Sequence, residues 1–168
     1  GTLGIFTRII LKLLPLPQAS VDLLCLFRTP RDAIAAVPRI MTGTGIIPTA
    51  MEFMDQTSVR ASCSYLNESI PYEEAGAMLL ITVDGTDADQ VARDYERIGD
   101  ACEAAGAFEV YVADNRTTSE RIWRIRRNIA EAFKVFSPHQ SLEDIVVPVA
   151  AIPAMVEAVE RLSTAYDV

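Results

Sequence analysis

The chain is poor in the residues from which self-contained catalytic centres are assembled. It has one histidine, His139, in 168 residues, in the loop 137–140 with no second ligand nearby, which is poor evidence for a metal site or for a nucleophile–histidine triad. Three cysteines, Cys25, Cys63 and Cys102, lie far apart in apolar settings without CxxC spacing. They read as reduced structural thiols of a cytoplasmic protein, not as disulfides or zinc ligands. No GxSxG, HExxH, P-loop or complete GxGxxG occurs. Basic residues number 15 against 23 acidic ones, a net charge of −8; this argues against nucleic acid as the main partner, because phosphate binding relies on a basic surface. No apolar run approaches the roughly 20 residues of a membrane span. The run 5–16 is broken by Arg8 and Lys12 and closes with Pro15-Leu16-Pro17, so it reads neither as a span nor as a signal peptide.

What is present is apolar surface. Half of the residues are hydrophobic and mean hydropathy is +0.20, which suggests one domain with a face covered by another domain or subunit. Ile5–Leu14 reads as a strand stopped by the prolines, and Val21–Arg28 as a second one. Thr29-Pro30 opens a helix that Pro38 should kink or end early. The Gly43-Thr44-Gly45 turn leads into a strand over 48–54, followed by a short helix near 58–66. Another strand spans 76–84. Thr86 or Asp87 caps a long helix with the stripe Val91, Tyr95, Ile98 and Cys102, and Gly106 stops it. A strand over 108–113 precedes a helix to about 136, with Thr117 and Glu120 as its capping box. A strand over 142–147 and a helix from Pro153 close the chain. The middle reads βαββαβ: an α+β, ferredoxin-like antiparallel sheet with helices on one face and the other face open.

Three features carry chemistry. The first is Gly1-Thr2-Leu3-Gly4-Ile5, whose two glycines allow a backbone to approach a ligand such as a phosphate closely, or form an ordinary turn. The second is the arginine-rich helix after Thr117. On a helical wheel Ile122, Ile125, Ile129 and Phe133 share an apolar stripe, while Arg124 and Arg127 are solvated. Arg126 sits on the border of that stripe, in line with Trp123 and Ala130. A guanidinium there either binds a ligand carboxylate through two parallel hydrogen bonds or pairs with an acid of a neighbouring element. The third is a set of carboxylates. Glu143 and Asp144, at the mouth of a strand, point to opposite faces and are no acid–base couple; one of them is available to an arginine of the preceding helix. Glu52 faces either a ligand or solvent.

In order and spacing these blocks resemble the C-terminal domain of FAD-linked oxidases, the group that contains the glycolate oxidase large subunit and D-lactate dehydrogenase. The matching blocks are GTLGIFTRIILKLLPLP at 1–17, IIPTAMEFMD at 46–55, AMLLITVDG at 77–85, ERIWRIRRNIAEAFK at 120–134 and EDIVVPVAAIP at 143–153. The resemblance implies that 1–17 ends a flavin-binding domain of the vanillyl-alcohol-oxidase type, and that 18–168 is the ferredoxin-like cap over the substrate. It also implies flavin contact at Gly1, Thr2, Leu3, Gly4 and Ile5, and a substrate carboxylate on Arg126. The implied reaction of the parent protein is hydride transfer from the Cα of a 2-hydroxy acid to FAD. Some relatives place a threonine and a lysine where this chain has Ala130 and Leu142, so the resemblance leaves the exact acid open. They also carry a later histidine-rich metal segment and a proton acceptor, both beyond Val168. The chain is therefore expected to be an inactive fragment on its own, and partner subunits or a homodimer fit the apolar face. The competing readings are a ferredoxin-like small-molecule sensor and a protein-interaction domain without catalysis.

Overall fold

The structure, a computed structural model, describes residues 2–137 and 139–166. Its elements run β1 (Ala19–Phe27), α1 (Pro30–Thr44), β2 (Ala50–Asp55), α2 (Gln56–Leu66), β3 (Ala77–Gly85), α3 (Ala88–Ala104), β4 (Ala107–Ala113), α4 (Arg116–Arg127), α5 (Ile129–Phe133), a 3-10 turn (Val149–Ala151) and α6 (Ile152–Tyr166). The four strands form one sheet in the order β2-β3-β1-β4, antiparallel at every pairing. The expected α+β class and ferredoxin-like plan are observed.

The central strands dictate how the sheet is covered. VDLLCLF at 21–27 and AMLLITV at 77–83 are apolar at both parities, so each face of the sheet must be shielded from water. Leu23, Cys25, Phe27, Leu79 and Ile81 point to one side and pack with Ile40 of α1 and Val91, Ile98 and Cys102 of α3. Leu24, Leu26, Met78 and Leu80 point to the other, where Val59 and Cys63 of α2 and Ile122 and Ile125 of α4 meet them. The expectation of helices on one face only is corrected by this second layer. An extra helix between β2 and β3 builds half of it, where a plain ferredoxin-like plan has a hairpin.

Helix ends follow local chemistry. Thr29 Oγ1 accepts from the Asp32 amide at 3.1 Å, and Asp87 Oδ1 accepts from the Asp89 and Gln90 amides at 3.0 and 3.2 Å, as the capping residues predict. Gly45 ends α1 with a φ of 67°. Between these ends α1 runs through Pro38. Ile34 and Ile40, buried on either side of it, supply packing that outweighs one missing donor. The cap of α4 is Asn115, which accepts from the Thr118 amide at 3.0 Å, and not the Thr117–Glu120 box; Glu120 instead pairs with Arg116.

Two expected strands are not observed. Residues 5–14 and 142–147 join no ladder among the described residues. Pairing begins only where the Gln18 amide donates to the Gly85 carbonyl at 2.8 Å. Their β-branched composition favours an extended chain, but a strand also needs a partner edge. Ile5, Phe6, Ile9, Ile10, Leu142, Ile145 and Val146 are left exposed.

Gly76 ties three elements together: its amide donates to Phe27 at 2.9 Å and its carbonyl accepts from Gln56 at 3.0 Å. A Cβ at this position would stand 2.3 Å from the Arg28 carbonyl oxygen. Gly76→Ala is therefore expected to destabilise the fold by at least about 2 kcal/mol, measured by urea unfolding; an unchanged midpoint would refute the close approach.

On the α1/α3 side, a hydrogen bond with Cys102 and then burial hold the Cys25 thiol well above its ordinary value of 9.0. The folded chain keeps a proton that the unfolded chain releases above about pH 9, so this stabilisation is complete below that pH and is lost as pH rises further. Stability should fall more steeply between pH 9 and 10.5 in the native chain than in Cys25→Ala, read from urea midpoints. Parallel slopes would show that Cys25 carries none of the effect.

Candidate functional site

On α4, residues at i, i+4 and i+7 share a stripe, and here those residues are Ser119, Trp123 and Arg126. Ile122 and Ile125 turn the adjacent stripe into the core. The polar stripe lies over one end of the sheet, where two carboxylates rise from β1 and β2, the strands on either side of β3. Asp22 of β1 stands opposite Thr82 of β3, and Ala50 of β2 completes that row. Glu52 stands two positions along the register, on the same face, opposite Leu80.

Asp22 is only 3 % exposed. Its Oδ1 accepts from Thr82 Oγ1 and its Oδ2 from Ser119 Oγ and from Trp123 Nε1 at 3.1 Å. A carboxylate taken out of water needs donors of this kind. Ser62, fully buried on α2, donates to the Ile125 carbonyl at 2.7 Å and satisfies an acceptor in the last turn of α4. That helix is therefore held from both sides.

Arg126 stands in the last turn of α4, where a cation complements the helix dipole. Its Nε and Nη2 donate to the same oxygen of Glu52, Oε2, at 2.9 and 2.7 Å. Nη1 and Glu52 Oε1 have no hydrogen-bond partner among the described residues. The two side chains are 36 % and 34 % exposed. Of the two sequence readings of Arg126, pairing with a neighbouring acid is thus observed, and one edge of the guanidinium remains open to a ligand. The other arginines are committed elsewhere. Arg121 and Arg124 reach Glu68 at 3.1 and 3.5 Å, and Arg127 lies over the Trp123 ring at 5.2 Å.

The helix expected to run to about 136 breaks at Asn128, whose Nδ2 donates to the Arg124 carbonyl at 2.8 Å and competes with the helical pattern. A cleft of about 510 Å³ lies beside Arg126, between the stripe formed with Ile129, Ala130 and Phe133 and the following residues Phe136 and Leu142. Ser137, Gln140 and Ser141 add neutral polar atoms. A larger groove of about 990 Å³ lies between α1 and α6, but its Arg31 and Glu157 already face each other, exposed, at 3.8 Å.

The remaining sequence candidates are dispersed. Gly1 lies outside the described residues. Thr2, Leu3, Gly4 and Ile5 are exposed, and a Cβ on Gly4 would meet no atom within 4 Å. No cradle for a flavin closes around them among the described residues, so these residues by themselves do not fit the cofactor. His139 is exposed in a loop and its carbonyl accepts from Ser137 Oγ at 2.8 Å. Glu143 accepts from Ser141 Oγ at 2.7 Å and Asp144 is exposed; neither has an arginine partner among the described residues. No group of three or more His, Cys, Asp or Glu residues that could hold a metal occurs among the described residues. Sequence reasoning passed over Asp22, Thr82 and Ser119; the signal was an aspartate inside an otherwise apolar strand.

The family model for FAD linked oxidases, C-terminal domain, matches residues 16–168. The chain belongs to that family. It is 36 % identical over 167 residues to the glycolate oxidase subunit GlcD of Escherichia coli (strain K12), covering 99 % of this chain and 33 % of that one. It is 34 % identical over 168 residues to glycolate oxidase subunit GlcD of Bacillus subtilis (strain 168), covering 100 % and 35 %. With the D-lactate dehydrogenase of Anaerostipes hadrus the figures are 31 % over 172 residues, 99 % and 36 %. The chain thus spans about a third of the length of these relatives. No helix among the described residues is long and apolar enough to cross a membrane.

Asp22→Ala in this oxidase domain should cost about 2–4 kcal/mol, because Thr82, Ser119 and Trp123 would all lose a charged acceptor. Urea unfolding and the emission of Trp123, the one tryptophan of the chain, report it. A stability change below about 0.5 kcal/mol would mean that the network holds nothing in place.

Proposed function

We propose that this chain is the substrate-docking domain of an FAD-dependent oxidoreductase that oxidises the CH–OH group of 2-hydroxy acids, of the glycolate or D-lactate type. The single observation that carries the reading is Arg126, oriented by Glu52 with its Nη1 edge open beside a ligand-sized cleft. Membership of the FAD-linked oxidase family and the names of the relatives support the reaction class.

In this reading the substrate carboxylate docks on Nη1 through charge-assisted hydrogen bonds. Glu52 fixes the guanidinium plane, and the Asp22 network fixes the helix that carries it. The apolar walls give the rest of the acid a surface to lie against. Hydride removal from Cα belongs to FAD held outside the described residues, and no step through it is assigned to this chain; the same holds for any metal and for the proton acceptor. The domain division, with 1–17 ending a flavin domain and 18–168 forming the cap, is supported by the family match beginning at residue 16 and by the exposed apolar side chains before Gln18. That division leaves Gly1 to Ile5 to meet a flavin domain or other subunit surface. Three free, buried thiols support a reducing, cytoplasmic setting.

In the full-length protein, anaerobic D-lactate or glycolate should bleach the flavin absorbance; an unchanged spectrum with every 2-hydroxy acid tried would reject the reaction class. Arg126→Ala should lower kcat/KM by about 2–4 kcal/mol, some 30- to 1,000-fold, mostly through KM. Arg126→Lys, which keeps the charge and loses the fork, should fall in between. Wild-type kcat/KM in Arg126→Ala would remove the docking role.

A further inference from the structure

The surroundings of Arg126 also select among acids. Nε and Nη2 are both occupied by one Glu52 oxygen, so the pair is neutral as a unit and offers one donor edge, enough for a single carboxylate. Glu52 stands outside the cleft lining, and its unpartnered Oε1 leaves negative charge on the far side of Arg126 from the apolar wall. Among the described residues Arg126 is the one charged residue on the cleft wall, and Ile129, Ala130, Phe133, Phe136 and Leu142 make most of the remainder. A carboxylate placed among these side chains would be desolvated without a partner, whereas methylene groups there would be drawn out of water. Phe136 and Leu142 are 71 % and 79 % exposed in the empty cleft, so apolar area remains to be covered by a ligand.

We infer that the cleft takes acids with one carboxylate and a medium-length apolar chain, the carboxylate on Arg126 and the chain along Phe133, Phe136 and Leu142, and that it discriminates against dicarboxylates. This rests on the docking role of Arg126 proposed above and adds the class of acid.

Acids without a 2-hydroxyl group test binding apart from turnover. Calorimetric titration of the full-length protein with acetate, butanoate, hexanoate and glutarate should give affinities that rise about fourfold per added methylene, or roughly 15-fold from butanoate to hexanoate. Glutarate should bind at least about tenfold more weakly than hexanoate. Arg126→Gln should weaken all four acids by a similar factor, and Leu142→Ser, at an exposed position, should flatten the dependence on chain length. Glu52→Gln should narrow the gap between glutarate and hexanoate. If affinity is flat or falls with chain length while Arg126→Gln still abolishes binding, the acid class is wrong and the docking role stands. If Arg126→Gln leaves every affinity unchanged, the docking role itself is wrong and this inference falls with it.

Discussion

A buried carboxylate in the middle of a β-strand fixes the candidate site. Asp22 lies on a central strand with almost no access to water, and an ionised group there is tolerable only if donors converge on it. β3 supplies one, Thr82, while α4 supplies two, Ser119 and Trp123, spaced four residues apart. Two donors on one helical stripe fix both the rotation of α4 about its axis and its position along the sheet. Arg126 follows at the next step of the same stripe, so its approach to Glu52 is a consequence of where Asp22 holds the helix. A one-step rotation of α4 would drive Arg126 into the core or expose Ile125, and both are disfavoured for opposite reasons. The polar network and the apolar core thus agree on a single seating of this helix.

The same reasoning separates what was legible in the sequence from what was not. Element order, the Thr29 and Asp87 caps and the α3 stripe follow from local signals that tertiary structure rarely overrides. The strands at 5–14 and 142–147 did not form because composition specifies an extended chain and says nothing of a partner edge. The second helical layer was legible and was passed over: VDLLCLF and AMLLITV leave no polar parity, which is incompatible with an open face. Pro38 and Asn128 show how context decides. The proline sits between buried isoleucines and is tolerated, while the asparagine sits on the solvated side of a helix end and breaks the periodicity expected to run to about 136.

For the site, helical geometry placed Arg126 at the border of the apolar stripe, and its partial burial agrees with that. Its partner was not legible. Glu52 lies 74 residues earlier, on an edge strand, and only the sheet register brings the two together. The cleft was equally hidden, since one of its walls is the segment from Phe136 to Leu142, whose path beside the helix no periodicity specifies. Asp22 stood in plain view as the one charged residue between Ser20 and Phe27. A carboxylate in such a run has either a partner or a function, yet it was passed over while the exposed His139 was weighed.

Electrostatics decide how such a site can work. The chain carries a net charge of −8, so its long-range field repels an anionic acid and gives no help in drawing it toward Arg126. At physiological ionic strength that repulsion is screened beyond about 8 Å, and recognition is left to short-range terms. These are a guanidinium edge held at a fixed orientation and apolar walls that lower the local dielectric around it. Glu52 is central to this balance. By occupying two donors it weakens the general attraction of Arg126 for anions, and by fixing the plane it strengthens the one geometry in which a carboxylate meets the open edge. An arginine without that partner would bind more kinds of anion with less discrimination among their poses, whereas the proposed docking needs the acid held in a single orientation.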